Sequence, residues 1–335
     1  MKEIKVAMIG YGGIGAMHKA AYDALAREGY PIRLVAICDR NKDALNSSSL
    51  TNLGAVDVGS FDDISFYSEC DELLRNEDFD MADVCLPTFL HKEYTVKLLS
   101  AGKHVLCEKP MALSYEDCLE MLCCSEKYGR ELMIGQCLRF DPAYLYLKEL
   151  VDGGEFGKAR RISMGRFSFM PRWSNWFTDT KKSGGCMIDF HIHDIDMLRF
   201  VFGEPHAVSS VSHDEGSGWQ YVSSRLYYDG LIAMAEASFD ESPTAPFSMW
   251  YRVRFDNATV VFDTDKVTVY PDDAEPFVKE LSKDDRMVEE LRYFASVILG
   301  DKGNTVHSPS GAARSIRTVE LIRESARCGG EIIKI

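Results

Sequence analysis

No Cys-x-x-Cys pair occurs among the ten cysteines of this 335-residue chain, and their spacing follows no regular frame. Neither a disulfide scaffold nor a paired-cysteine zinc site is expected. Cys38, Cys85 and Cys107 lie inside apolar runs, so they read as buried thiols of a reducing, cytoplasmic setting. Positive charge is scarce as well: 38 basic against 52 acidic residues leave a net charge of −14. Such a surface repels phosphate backbones and anionic headgroups, which argues against nucleic-acid and membrane-surface partners. The uncharged stretches near the N-terminus are broken by glycine and fall short of the roughly 20 residues that span a bilayer. No secretory leader is expected ahead of the first strand, and there is no internal repeat or low-complexity linker.

What is present supports two cores. At 46% hydrophobic residues, the length favours two domains, read as 1–135 and 136–335. In the first, apolar strands (Ile4 to Ile9, Leu34 to Cys38, Ala82 to Leu86, His104 to Cys107, Leu132 to Ile134) alternate with helical patterns such as Lys92 to Ser100 and Tyr115 to Glu126. That rhythm predicts an α/β fold with a doubly wound parallel sheet. After Asp141-Pro142 come one helix, Ala143 to Val151, and then longer strands. Tyr221 to Tyr228 and Leu231 to Phe239 flank Asp229-Gly230, a type I′ hairpin signal. Trp250 to Phe255, Thr259 to Phe262 and Val267 to Tyr270 continue the run, helices Asp284 to Leu299 and Ser310 to Arg327 follow, and a short strand, Glu331 to Ile335, ends the chain. The second domain is thus expected to be α+β with a large, mostly antiparallel sheet.

Gly10-Tyr11-Gly12-Gly13-Ile14-Gly15 sits between a strand and a helix, the context in which this spacing binds a dinucleotide. Gly10 allows the turn, Gly12 lets the backbone approach a pyrophosphate, and Gly15 lets helix and strand pack closely. The helix N-terminus adds unpaired N–H donors. Asp39 ends the second strand, where a carboxylate accepts ribose hydroxyls and repels a 2′-phosphate; the alternative is a cap for the next helix. Arg40 leaves NADP open beside NAD. In a Rossmann-type sheet ligands gather beyond the carboxyl ends of strands, so Pro87, Thr88 and His91 in one loop, and Glu108 and Lys109 in another, are cofactor-facing candidates.

Gly184 to Asp196 is dense in Asp and His. Read as an α-helix entered through Gly184 and Gly185, it places Asp189 and His193 on one face and turns His191 away from His193. Both histidines could ligate one metal only if the helix were broken, so no metal site is expected. Arg172-Trp173-Ser174-Asn175-Trp176 precedes this segment; Trp176 could line a sugar pocket or pack in the core.

The chain resembles the Gfo/Idh/MocA oxidoreductases. The resemblance is carried by Ala101-Gly102-Lys103-His104-Val105-Leu106-Cys107-Glu108-Lys109-Pro110, the glycine loop, Pro87-Thr88 with His91, Arg139-Phe140-Asp141-Pro142, Gly154-Glu155-Phe156-Gly157, and Gly184-Gly185 through Asp196. It implies an N-terminal Rossmann domain and a second domain for substrate binding and oligomerisation. It also implies that Lys109 lies near the nicotinamide and the reacting hydroxyl, and that Asp189 and His193 face the substrate. Oxidising a secondary alcohol needs a hydride to leave carbon and a proton to leave oxygen. His193 then serves as general base or acid, Asp189 as its orienter, and Lys109 as electrostatic stabiliser, with Arg139 and Trp176 among the substrate contacts. A surface lysine and a hydrogen-bonded pair inside the domain are the structural alternatives.

The resemblance implies an NAD(P)-dependent dehydrogenase for a cyclic polyol, sugar or sugar derivative. Leu138-Arg139 replaces the Arg-Arg of many inositol-dehydrogenase relatives, which puts inositol itself in doubt. Two other readings stand beside it: an enzyme that retains NAD and uses it transiently at a sugar C3, and a non-catalytic dinucleotide sensor. Apolar residues on both alternating faces of Tyr221 to Phe239 predict a homodimer or homotetramer.

Overall fold

The computed structural model describes residues 3–42, 50–51, 54–55, 59–171, 175–213 and 220–335. Arg172, Trp173 and Ser174 lie outside them. In chain order the elements are β1 (Ile4–Ile9), α1 (Gly13–Arg27), β2 (Ile32–Cys38), β3 (Leu50–Thr51), β4 (Gly54–Ala55), β5 (Ser65–Tyr67), α2 (Cys70–Asn76), β6 (Met81–Val84), α3 (Thr88–Ser100), β7 (His104–Glu108), α4 (Tyr115–Tyr128) and β8 (Leu132–Gly135). There follow α5 (Pro142–Gly153), β9 (Ala159–Phe167), α6 (Thr180–Ser183), α7 (Ile192–Phe202), β10 (Ala207–His213), β11 (Tyr221–Tyr228), β12 (Leu231–Ser238), β13 (Ser248–Phe255), β14 (Ala258–Asp263), β15 (Lys266–Pro271), β16 (Phe277–Lys279), α8 (Arg286–Ile298), α9 (Pro309–Arg327) and β17 (Ile333–Lys334).

Two compact units result: residues 1–137 with 284–313, and residues 138–283 with 314–335. The first holds a parallel sheet in the order β5-β2-β1-β6-β7-β8. Its central strands are buried almost without exception, as Val6, Ala7 and Met8 in β1 and Met81, Ala82 and Val84 in β6 show, which is why they read as continuous apolar runs. The order reverses between β1 and β6, and ligands of such sheets collect beyond the strand ends at that point. Helix ends follow side-chain chemistry: Ser114 Oγ accepts from Asp117 N at 3.1 Å to open α4, and Gly129 in the left-handed region closes it. Helix α3 starts at Thr88, behind Pro87, four residues before the first residue its sequence pattern marks. Residues 284–313, assigned by sequence to the second domain, group with the first because α8 packs on α1. Tyr30 donates to the Arg292 carbonyl at 3.2 Å and Arg292 pairs with Glu28 at 2.6 Å.

The second unit is built on a nine-stranded sheet, β16-β15-β14-β13-β9-β12-β11-β10-β17, antiparallel except where β9 and β12 run parallel. One face is buried: Ile162, Met164, Val222, Leu226, Ala233, Ala235, Tyr251, Val253, Val260 and Phe262. Strand β9 is central, yet Arg160, Arg161 and Arg166 disguise it in sequence; Arg166 is buried all the same. The β11–β12 hairpin has the expected two-residue loop, Tyr228 facing Leu231, but not the type I′ turn. Gly230 has φ +75° while Asp229 is not at positive φ, and type I′ requires both. A positive φ at the second position alone is what a glycine there supplies without strain.

Candidate active site

The glycine loop joins β1 to α1. Gly10 has φ +91°, and a Cβ there would lie 2.8 Å from the Cys85 carbonyl oxygen. At Gly15 a Cβ would lie 2.8 Å from the Gly10 carbonyl oxygen. Gly12, by contrast, has no protein atom within 4 Å of its virtual Cβ, and it caps α1 without a side-chain bond. Tyr11 is buried, Gly13 half-buried, and Ile14 exposed. The result is an open cradle ahead of the unpaired N–H groups of the first helical turn, which fits a pyrophosphate. Asp39 follows β2 and is tied to this loop: Oδ2 accepts from Tyr11 N at 2.7 Å and Oδ1 from Asn41 N at 2.8 Å. Each oxygen keeps a second lone pair for a ribose hydroxyl. Arg40 is exposed beside it.

The loops after β6 and β7 are clamped by His91, whose ring nitrogens lie 2.7 Å from the carbonyl oxygens of Leu86 and Pro110. His91 is buried, and its pKa is depressed by that burial. Its part is to hold the two loops. Pro87 caps α3, and Thr88 in its first turn is buried. Glu108 is buried; Oε2 accepts from Lys109 N at 3.1 Å and Oε1 lies 3.1 Å from His18 Nε2. Lys109 itself is half-buried and joined to Pro110 by a cis bond.

In the second unit Gly184 and Gly185 both take positive φ, and a Cβ on Gly184 would run into the Ile188 side chain. They admit the chain into a helix, but not the α-helix expected from sequence. Cys186–Phe190 is π-helical, with His191 N donating to Cys186 O at 2.8 Å, and α7 begins only at Ile192. The turn, entered through two glycines at positive φ, holds one residue more than an α-turn, a feature common at functional sites. Asp189 lies in the π-turn and is largely buried, while His193 lies in the first turn of α7 and is half-buried. His191 points elsewhere: it is fully buried, its Nε2 lies 2.9 Å from Ser224 Oγ on β11, and burial with the Arg166 charge pushes its pKa down to about 3. It is neutral and structural. Asp194 pairs with Arg166 at 3.4 Å; burial raises its pKa against that pairing.

Arg139 is engaged inside the unit, Nε and Nη2 reaching Asp196 at 2.8 and 2.7 Å, with Ser315 Oγ donating to the same carboxylate at 2.7 Å. Burial opposes the Asp196 charge, but Arg139 and Ser315 outweigh it and hold the pKa below the ordinary range. Trp176 is half-buried and stacks on Phe177, ring centres 4.0 Å apart. A cavity of about 410 Å³ nearby in the fold is lined by Phe169, His213, Gln220, Phe239 and Asp240 among others; Phe190 of the π-turn stacks on Phe239 at 4.5 Å. Sequence reasoning did not single out His18, Asp83 or Glu290. Two signals mark them: Asp83 interrupts an apolar strand, and Glu290 falls on the apolar stripe of Met287, Leu291 and Phe294.

A glycine turn between the first strand and helix of a parallel sheet, with a carboxylate at the end of the second strand clasping it, defines a dinucleotide-binding domain of the dehydrogenase kind. The model of an oxidoreductase family with an NAD-binding Rossmann fold matches residues 4–136, and that of the GFO/IDH/MocA C-terminal domain matches residues 144–261. Together they take in about three quarters of the chain, which belongs to the Gfo/Idh/MocA oxidoreductases. The 2,7-anhydro-N-acetylneuraminate hydratase of Mediterraneibacter gnavus is 30% identical over 61% of this chain and 50% of its own. The chain thus spans half the length of that relative. Among solved structures, the aldose-aldose oxidoreductase from Caulobacter crescentus, complexed with glycerol, shares the fold over the full length of both chains (TM-score 0.85, 22% identity). So does a levoglucosan dehydrogenase complexed with NADH and levoglucosan (TM-score 0.84, 19% identity).

Proposed function

We propose that the protein transfers a hydride between NAD and a secondary hydroxyl of a sugar, anhydro sugar or cyclic polyol. The observation that carries this reading is the open Gly12 cradle clasped to Asp39 in a member of this oxidoreductase family. Asp39 favours NAD, since its carboxylate repels a 2′-phosphate; exposed Arg40 is the group through which NADP would be accepted. The names of the relatives support the substrate class: a hydratase for an anhydro sugar, a levoglucosan dehydrogenase and an aldose-aldose oxidoreductase.

Bound NAD supplies the hydride acceptor. Lys109 places an ammonium against the negative charge that builds on the substrate oxygen as the hydride departs. His193 takes the hydroxyl proton, and Asp189 orients the imidazole and accepts from a neighbouring hydroxyl. Arg139, through Asp196, braces α7; Trp176 offers an aromatic face to the C–H side of a sugar ring. Screening sugars, anhydro sugars and polyols for NADH formation tests the reading. His193→Ala lowers kcat by about 100-fold or more while the NAD dissociation constant holds; a variant that turns over like wild type refutes the assignment.

A second reading is favoured by the hydratase and aldose-aldose relatives, whose names describe no net change of NAD. Here NAD stays bound and is reduced and reoxidised within each turnover. The supernatant of denatured, freshly purified protein then contains about one dinucleotide per chain, and none if cofactor is exchanged freely.

A further inference from the structure

Four ionisable side chains from four elements of the first unit converge: His18 (α1), Asp83 (β6), Glu108 (β7) and Glu290 (α8). His18 is fully buried, with Nδ1 2.9 Å from Asp83 Oδ2 and Nε2 3.1 Å from Glu108 Oε1. Ionised carboxylates only accept, so both ring nitrogens donate and the ring is an imidazolium. Burial opposes that charge, but Asp83 and its neighbours outweigh it and keep the pKa well above the ordinary value. Tyr22 donates to the same Asp83 oxygen at 2.9 Å.

Glu108 is the hub. Besides His18 it holds the Lys109 backbone N–H at 3.1 Å, and its rotamer has room only because residue 135 is glycine, where a Cβ would lie 2.6 Å from Oε1. Glu290 is fully buried, and neither of its oxygens has a hydrogen-bond partner among the described residues. Ligand-type atoms of His18, Glu108 and Glu290 lie within 4.8 Å of one another. The charged and titratable groups facing Glu290 are Glu108, His18, Asp83, Tyr22, Cys137, Arg286 on its own helix, and His307, whose Nδ1 is 4.0 Å from Oε1. Burial first, then repulsion from Glu108, raises its pKa well above the ordinary value. Two carboxyl groups this close in a dry setting do not both ionise.

We propose that Glu290 is a positioning residue: held as a neutral carboxylic acid beside Glu108, it adds no second negative charge there and leaves the Glu108 carboxylate in place between His18 and the backbone N–H of Lys109. Its effect on turnover rests on the reading of Lys109 as catalytic; its protonation does not. Ionised, Glu290 would repel Glu108 and compete for the His18 proton. As an acid it carries no charge and leaves His18 balanced between Asp83 and Glu108.

Infrared difference spectra of the full-length protein at neutral pH, wild type minus Glu290→Gln, show the carbonyl band of a protonated carboxylic acid in wild type alone. Nitrogen-15 spectra of wild type show the His18 ring, assigned by the signal that His18→Gln removes, with both nitrogens protonated well above the ordinary pKa of 6.5. A folded wild type without the acid band, or without such an imidazolium, overturns the proposal, as does a stoichiometric bound metal that Glu290→Gln removes. With a sugar that the enzyme turns over, Glu290→Ala lowers kcat about tenfold or more with little change in KM. Glu290→Gln, which keeps an uncharged side chain of the same shape in place, restores most of it; equal losses in the two variants overturn the positioning role. A protein that shows the acid band but reduces NAD with no sugar fails the dehydrogenase reading and leaves the protonation assignment standing.

Discussion

Arg139 and His191 show how the second unit keeps ionisable groups inside. Arg139 forms two hydrogen bonds to Asp196, and both side chains are buried. Removing one partner strands the other, so Arg139→Ala is expected to cost about 3–5 kcal/mol of stability, read as a lowered urea midpoint. His191 is the opposite case, an imidazole buried neutral with its pKa pushed down to about 3 from 6.5. Below the ordinary value the unfolded chain binds a proton that the folded one does not, so stability falls as pH drops through that window. The slope from this one group is about 1.4 kcal/mol per pH unit. Urea titrations between pH 7 and pH 4 will show a shallower acid loss in His191→Gln than in wild type; equal slopes would refute a buried neutral His191.

The glycine loop separates two roles that one motif combines. Gly12 has φ −99° and open space where a Cβ would go, so Gly12→Ala leaves the thermal midpoint nearly unchanged and weakens NAD binding about tenfold or more by blocking the pyrophosphate. Gly10→Ala meets both a positive φ and the Cys85 carbonyl oxygen at 2.8 Å, so it lowers the midpoint too; calorimetry with cofactor titration checks both. These elements were legible in sequence because local signals coincide there: apolar runs for β1 and β8, Ser114 and Gly129 around α4, Gly10 to Gly15 at the turn. Three features were not. Strand β9 carries arginines because its central position is satisfied by partners distant in sequence, such as Asp194 for Arg166. The π-turn depends on backbone geometry at Gly184 and Gly185, which residue spacing does not reveal. Glu290 gains its meaning only from Glu108 and His18, brought to it by the packing of α8 on α1.

For the chain as a whole, the alternation of strands and helices announced the parallel sheet, and the Asp141-Pro142 break marked where the second sheet's sequence begins. The return of residues 284–313 to the first unit had no local signature, because α8 is an ordinary amphipathic helix whose partner lies some 260 positions earlier. The outer face of the nine-stranded sheet exposes Val211, Ile232, Met234, Tyr270 and Val278. We expect a second copy to cover it. Light scattering at micromolar concentration should then give a dimer or tetramer, and Ile232→Glu with Met234→Glu should shift the mass toward the monomer; a wild-type monomer contradicts this. No helix among the described residues is long and apolar enough to cross a membrane. The account as a whole turns on nicotinamide reduction in a single turnover. NAD-loaded protein, mixed with a panel of sugars, anhydro sugars and polyols, should show reduced nicotinamide with at least one of them, whether or not the dinucleotide is released, and Lys109→Ala or His193→Ala should slow its appearance about 100-fold or more. NAD that binds by titration yet is reduced by no member of the panel would contradict it.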